Sequence, residues 1–224
     1  MRIQKFLSQQ NICSRRQAEA FIEQGWVYVN DVQITEKGHK IDPEKDIVRL
    51  VEEAKKILAK RTYLKYYKPR GIITHSPDSD EKSIHDIIDP AYKHCFPIGR
   101  LDKDSEGLIL LTDDGLFTKA CLDDKKPHRR DYVITVSKQL TPEMMRKCEQ
   151  GMMILGKKTK PCKIKELKKN TYQLTLYEGK NRQIRRMIQK VGSMVMTLKR
   201  IQFGPISLGG MTPNSVMVIT PFYK

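Results

Sequence analysis

The segment Gly107-Leu-Ile-Leu-Leu-Thr-Asp-Asp-Gly115 constrains this chain more than any other. Its aliphatic run, Leu108 to Leu111, reads as a buried strand, and the Thr-Asp-Asp-Gly after it is a polar turn. A strand of this kind lies inside a sheet, so a domain has to be built around it. Its entrance is crowded: Arg100, Asp102, Lys103, Asp104 and Glu106 all precede the apolar run. Charges at the mouth of a buried strand form either an ordinary polar turn or a place where one carboxylate has chemical work.

The pattern around this strand is β-rich from Thr62 onward. TYLKYYKPRGIITH predicts two strands about a Lys68-Pro69-Arg70-Gly71 turn, and DYVITVS and YQLTLYEG predict further strands. MVMTLKRIQFG and SVMVIT predict closing strands. LFTKACL reads as a helix, and TPEMMRKCEQG as another with Thr141 as N-cap, Pro142 in its first turn and Gly151 as its stop. NRQIRRMIQKVG is a basic amphipathic helix, with Ile184, Met187, Ile188 and Val191 on one face and Gly192 as its stop. Runs of strands with a few helices predict an α+β domain on a mostly antiparallel mixed sheet flanked by helices.

Residues 1–50 read as a separate small module of two helices and a small sheet. Ile3, Phe6 and Leu7 share one helix face; Ser14 and Gln17 form a capping box for a second helix that points Ala18, Phe21 and Ile22 inward and stops at Gly25. WVYVNDVQI is a hairpin about Asn30-Asp31. Residues 51–61 are a linker or short connecting helix, and residues 62–224 the larger domain.

The chain carries a net charge of +16, of which residues 1–61 hold only +3. Such a surplus implies a polyanionic partner, because each Lys or Arg laid on a phosphate releases condensed counterions. Seven lysines and one glutamate lie between Lys157 and Lys169, and seven basic residues and one acidic residue between Glu178 and Arg200. Arg15 and Arg16 stand at a helix N-terminus, where cations oppose the macrodipole. They are either solvated surface arginines or are presented, with the helix amides, to phosphates.

Five scattered cysteines and five scattered histidines show no zinc-ligand spacing, which points to reduced thiols in a cytoplasmic protein without a metal site. No signal peptide and no membrane span is present. Nucleotide-binding glycine loops and a Gly-x-Ser-x-Gly elbow are also missing. The acidic cluster at 102–114 is interrupted by Lys103, which is awkward for a divalent cation and weakens a nuclease reading. A single carboxylate can instead act as nucleophile or base without metal if a guanidinium keeps it ionised.

GRLDKDSEGLILLTDDG resembles the signature of the RsuA/RluB/RluF group of RNA pseudouridine synthases: Gly-Arg-Leu-Asp, two variable residues, Ser or Thr, one variable residue, Gly, and an aliphatic run ending in Thr-Asp. YYKPRGIIT, RDYVITV and EGKNRQIRRM are similar to three further motifs of that family, and residues 1–50 to an RNA-binding module first seen in a small-subunit ribosomal protein. FPIGRLDKDSEGLI, ILGKKTKPCKIK and GKNRQIRRM look closest to the RluF branch, which acts on large-subunit rRNA; the basic tail of that branch has no counterpart before Lys224.

The resemblance implies a cofactor-free enzyme that converts a specific uridine, most readily in large-subunit rRNA, to pseudouridine after flipping the base. Asp102 would attack the ribose of the target or take a proton from it. Arg185 would pair with Asp102, and Tyr132 would stack on the flipped base. Arg100 would fill the gap in the RNA or hold flipped nucleotides. Lys68, read as support for the site, is grouped with Arg15, Arg16, Arg100, Arg182 and Arg186 as RNA-contacting. Lys103, Asp104 and Glu106 are read as turn and surface charges. The competing readings are a small-subunit rRNA or tRNA synthase of the same chemistry, and a non-catalytic RNA-binding assembly factor. The protein is expected to be a monomer.

Overall fold

The computed structural model describes residues 1–74 and 80–223. Two helices open the chain, α1 (Ile3–Gln9) and α2 (Arg15–Glu23). At α2 the capping box is present in both directions: Ser14 accepts from the Gln17 amide and the Gln17 side chain accepts from the Ser14 amide. Next comes a three-stranded sheet, in the order β2 (Val32–Ile34), β1 (Val27–Val29), β3 (Val48–Leu50). The β1–β2 turn places Asn30 and Asp31 at φ 49° and 66°, the left-handed pair that a two-residue hairpin loop needs. Ile3, Leu7, Ala18, Phe21, Ile22 and Val27 form the core.

Residues 52–59 form helix α3 (Glu52–Ala59), and its Ala54 is fully buried against the core of this first module. Polar contacts fasten the module to the larger sheet domain. Gln17 Nε2 donates to the Asp113 carbonyl at 2.9 Å, and Arg61 donates to Asp114 at 2.6 Å and to the Ile12 carbonyl at 3.1 Å.

The second part is a nine-stranded sheet. Its strands enter as β4 (Tyr63–Lys68), β5 (Phe96–Ile98), β6 (Glu106–Thr112) and β7 (Arg130–Val136), then β10 (Lys163–Lys168), β11 (Thr171–Leu176), β12 (Val195–Phe203), β13 (Ile206–Ser207) and β14 (Val216–Val218). The short pair β8 (Met153–Ile154) and β9 (Lys157–Lys158) makes a separate hairpin. Spatial order is β10-β11-β7-β12-β6-β4-β14, with β5 beside β6 and β13 beside β12. Helices α4 (Ile84–Ile87), α5 (Gly115–Cys121), α6 (Pro142–Glu149) and α7 (Gln183–Lys190) cover it, and a 3-10 turn spans Pro90–Tyr92. Ile109 and Leu111 face one apolar cluster and Leu108 and Leu110 another, so β6 is covered on both sides. Among the described residues no helix is long and apolar enough to cross a membrane.

The strand expected after the Lys68–Gly71 turn is much reduced. Ile73 makes only an isolated bridge to Ser83, because residues 69–74 turn toward the 101–103 loop, where Gly71 N donates to the Lys103 carbonyl; His75 lies outside the described residues. Sequence patterning did not single out α4, β5, β10 or the β8–β9 hairpin, which are short or heavily charged.

Every strand pair of the large sheet is antiparallel except β6 with β12, which run parallel with Gly107 opposite Arg200. Gly107 has φ 106°, and a Cβ there would land on the Arg200 backbone. Gly107→Ala is therefore expected to cost at least about 2 kcal/mol in urea unfolding. Gly38→Ala, at φ 87° with nothing nearby, should cost clearly less. Equal costs at the two positions would show that the close approach of β6 and β12 is not what demands glycine.

Candidate active site

The loop from Leu101 to Ser105 is held at every backbone carbonyl. Thr74 Oγ1 donates to Leu101 O at 2.7 Å, Ser105 N to Asp102 O at 3.0 Å, and Gly71 N to Lys103 O at 2.8 Å. Arg185 donates to Asp104 O at 3.1 Å, and Lys68 Nζ to Ser105 O at 2.8 Å. Such a loop has little freedom left, so side chains projecting from it are fixed in direction.

Two arginines secure its carboxylates. Arg182 reaches both oxygens of Asp104 at 3.2 Å and Asp102 Oδ2 at 3.5 Å. Arg185 lies 3.1 Å from Asp104 Oδ2 and also donates to Ser105 Oγ and the Val195 carbonyl. Burial alone would raise the Asp104 pKa. The hydrogen bond from Arg182 and the charges of both arginines outweigh it and hold the carboxyl below its usual value. Arg182 is the N-cap of α7 in the left-handed conformation, φ 47°, a strained state that points it back at the loop.

Beside the loop opens a cavity of about 280 Å³. That is close to the small end of the range for ligand pockets, about 300 Å³ upward, and suits a single planar ring. Asp102, Arg100, Arg182, Tyr132, Leu198 and Arg200 line it. Asp102 is a third exposed, while Tyr132 is buried. Arg200 is 3% exposed; its Nε donates to Leu108 O at 2.6 Å. Burial pushes its pKa down, partly opposed by the Tyr132 hydroxyl, and no carboxylate pairs with it among the described residues. Among the described residues no cluster of three or more His, Cys, Asp or Glu could hold a metal ion. The five cysteines are buried and unpaired.

A carboxylate and a tyrosine lining one small, cation-rich cavity are the arrangement the four sequence motifs foreshadow. Residues 62–190 match the RNA pseudouridylate synthase family and residues 1–48 the S4 domain family. The chain belongs to the RNA pseudouridine synthases. It is 38% identical to the dual-specificity RNA pseudouridine synthase RluF of Escherichia coli K12, over 94% of this chain and 72% of the relative. It is 37% identical to the ribosomal large subunit pseudouridine synthase B of Bacillus subtilis, over 98% of this chain and 92% of the relative. A crystal structure of a pseudouridylate synthase superposes with a TM-score of 0.71 at 26% identity, covering 98% of this chain and 96% of the other.

Within this synthase the structure brings Arg100, Asp102, Tyr132, Arg182 and Arg185 to one cavity. Three expectations are corrected. Arg185 does not pair with Asp102: its guanidinium goes to Asp104, Ser105 and Val195, and Arg182 is the residue within ion-pair distance of Asp102. Asp104 is no plain surface charge but the anchor for both arginines, and Glu106 accepts from Tyr67 at 3.0 Å. Lys68 cannot contact RNA, since it is 0% exposed and its ammonium serves the Pro69 and Ser105 carbonyls. Arg15 and Arg16 are exposed on the first module, and Arg186 bonds back to Asn181. Arg200 escaped the sequence reading because it sits in an ordinary-looking strand. Its opposition to Gly107 was the missing signal.

Burial pushes the Lys68 ammonium down to about 8, against the pull of Asp104, Asp102 and Glu106. The unfolded chain keeps this proton up to the ordinary lysine value of 10.5, so between the two values the unfolded state binds more protons and stability rises with pH. Lys68→Met is expected to abolish that rise. Urea unfolding of both proteins at pH 7.5 and 9.5 checks it: the wild type should gain on the variant as pH increases. A difference independent of pH would mean that Lys68 is not desolvated.

Proposed function

We propose that this synthase isomerises a uridine of large-subunit rRNA, with Asp102 as the essential carboxylate. The observation that carries the catalytic assignment is the contrast between two neighbouring aspartates. Asp104 is engaged by two arginines, whereas Asp102 keeps a carboxylate at the cavity edge with a single arginine at 3.5 Å. A guanidinium at that range helps to orient the carboxylate without covering it.

On this reading the target base leaves the RNA stack and enters the cavity. Base flipping costs a few kcal/mol, and least where the RNA is already looped. Tyr132 stacks on the uracil. Arg100 and Arg182 at the mouth take the flanking phosphates or the space the base vacates, while Arg15 and Arg16 on the first module extend the contact to more distant phosphates. Arg185 acts indirectly, by fixing the loop that carries Asp102. The large-subunit target is supported by the name of the Bacillus subtilis relative, which spans nearly the whole chain.

Formation of the C5–ribose bond must expel the C5 hydrogen. Tritium release from [5-³H]uridine-labelled RNA therefore reads the reaction directly. With EDTA present, the wild type should release tritium from unmodified large-subunit rRNA, and Asp102→Asn should fall by at least about a thousandfold while still binding that RNA. Release from small-subunit rRNA or tRNA alone would refute the proposed target. Equal release by Asp102→Asn would refute the role of Asp102.

A further inference from the structure

Arg200 is the least ordinary side chain in the molecule. It is 3% exposed and lines the cavity, and one terminal nitrogen of its guanidinium has no hydrogen-bond partner. Arginine is effectively always charged, and buried charges are normally paired. Here no carboxylate supplies the pair among the described residues: the Tyr132 hydroxyl gives only partial relief and Arg130 adds a like charge. A buried cation left unpaired beside a binding cavity is poised for negative charge brought by the substrate.

The position is specified tightly. Arg200 lies opposite Gly107 in the parallel β6–β12 pair and opposite Tyr132 in the antiparallel β7–β12 pair. Its Nε is tied to Leu108 O, so the guanidinium cannot swing out to the mouth. Phosphates are poor candidates for it. A phosphate reaching this buried side chain would have to shed its water, whereas Arg100 and Arg182, which line the same cavity, are more exposed and can meet one without that cost.

The reaction itself generates the missing charge. On either route for Asp102, attack on the ribose or removal of a ribose proton, the C1′–N1 bond breaks with its electron pair going to the base. The uracil is then an anion, with charge shared among N1, O2 and O4. When C5 bonds to C1′, the C5 proton departs and N1 takes one up, so the overall change is an isomerisation. We propose that Arg200 stabilises the uracil anion in this interval, through the charge of its guanidinium on the cavity wall. It remains protonated throughout. Neutral uridine gains little from the contact and the departing anion gains much, which is the differential that accelerates a step. Because the cation is already dehydrated and held by Leu108 O in the free protein, little reorganisation is needed when the charge develops.

This role for Arg200 rests on the uridine-isomerising reading, so the test uses whichever RNA the wild type modifies. Arg200→Met removes the charge while filling the volume, and replacing a buried charge by an apolar group of similar size is often neutral or stabilising. Arg200→Gln serves as a second variant should Met disturb the fold; thermal unfolding decides which of the two is used. Single-turnover rates are measured with target uridine and with 5-fluorouridine at the same position, scoring loss of the N-linked nucleoside in nuclease digests. Fluorine at C5 makes uracil more acidic, hence a better leaving group with less need of a cation. Loss of Arg200 is expected to slow the uridine reaction about a hundredfold, the order seen when one donor to a developing anion is removed, and the 5-fluorouridine reaction about tenfold or less. Equal losses with the two RNAs would overturn the proposal, since a merely structural role cannot sense the leaving group. A loss confined to RNA affinity, with the bound rate unchanged, would overturn it in favour of a phosphate contact. An inactive wild type on all RNAs would instead contradict the uridine-isomerising reading, and this use of Arg200 with it.

Discussion

Two backbones meet at Gly107 and Arg200 too closely for any side chain at position 107. Most of the site depends on that contact. Parallel neighbours cannot be joined by a tight turn, so the chain between β6 and β12 must travel a long way before returning. On that path it lays down β7 with Tyr132, the β10–β11 pair and helix α7. When β12 finally slots between β7 and β6, the N-terminus of α7 has been brought to the 101–105 loop. One backbone approach thus sets both the wall of the cavity, through Tyr132 and Arg200, and the clasp on its rim, through Arg182 and Arg185.

The clasp explains why so many charges crowd the entrance of an apolar strand. On the proposed assignment the loop carries the reactive carboxylate and has to be rigid, and a loop's own backbone groups need partners when it is not in a sheet. Thr74, Gly71, Lys68 and Arg185 provide them from three separate parts of the chain. Lys68 is the most expensive of these, a buried ammonium whose desolvation is offset by two carbonyls and by the neighbouring carboxylates. Asp104 takes the closer contacts of the two arginines, which leaves Asp102 with only the 3.5 Å approach of Arg182.

The features legible in the sequence were mostly local. The Ser14–Gln17 capping box, the Asn30-Asp31 hairpin turn, the Thr141 cap and the buried Leu108–Leu111 strand each depend on residues a few positions apart, and each is present. Those that escaped depend on partners distant in the chain. Lys68 reads as a turn residue grouped with the RNA-contacting cations until its ammonium is seen to donate to the Ser105 carbonyl, 37 positions away. Arg185 and Arg182 are separated by less than one helical turn, so motif matching alone does not say which of them faces Asp102. The left-handed cap at Arg182 decides it. Arg200 lies in a strand read from its pattern only as one of two closing strands; in the sheet β12 is internal, between β7 and β6. Its burial is a consequence of sheet order, which no local pattern encodes.

On the proposed mechanism one cavity serves as the place where the base is both cut and rejoined. A crystal structure of the protein with a stem-loop carrying 5-fluorouridine at the target position tests this most directly. The expected result is a flipped ring in the cavity, stacked on Tyr132, with the ribose C1′ or its neighbouring carbon about 3–3.5 Å from an Asp102 oxygen, the separation of a near-attack arrangement, and a uracil oxygen against Arg200. A base bound elsewhere, or held with its ribose turned away from Asp102 while Asp104 took its place, would contradict that single-cavity mechanism.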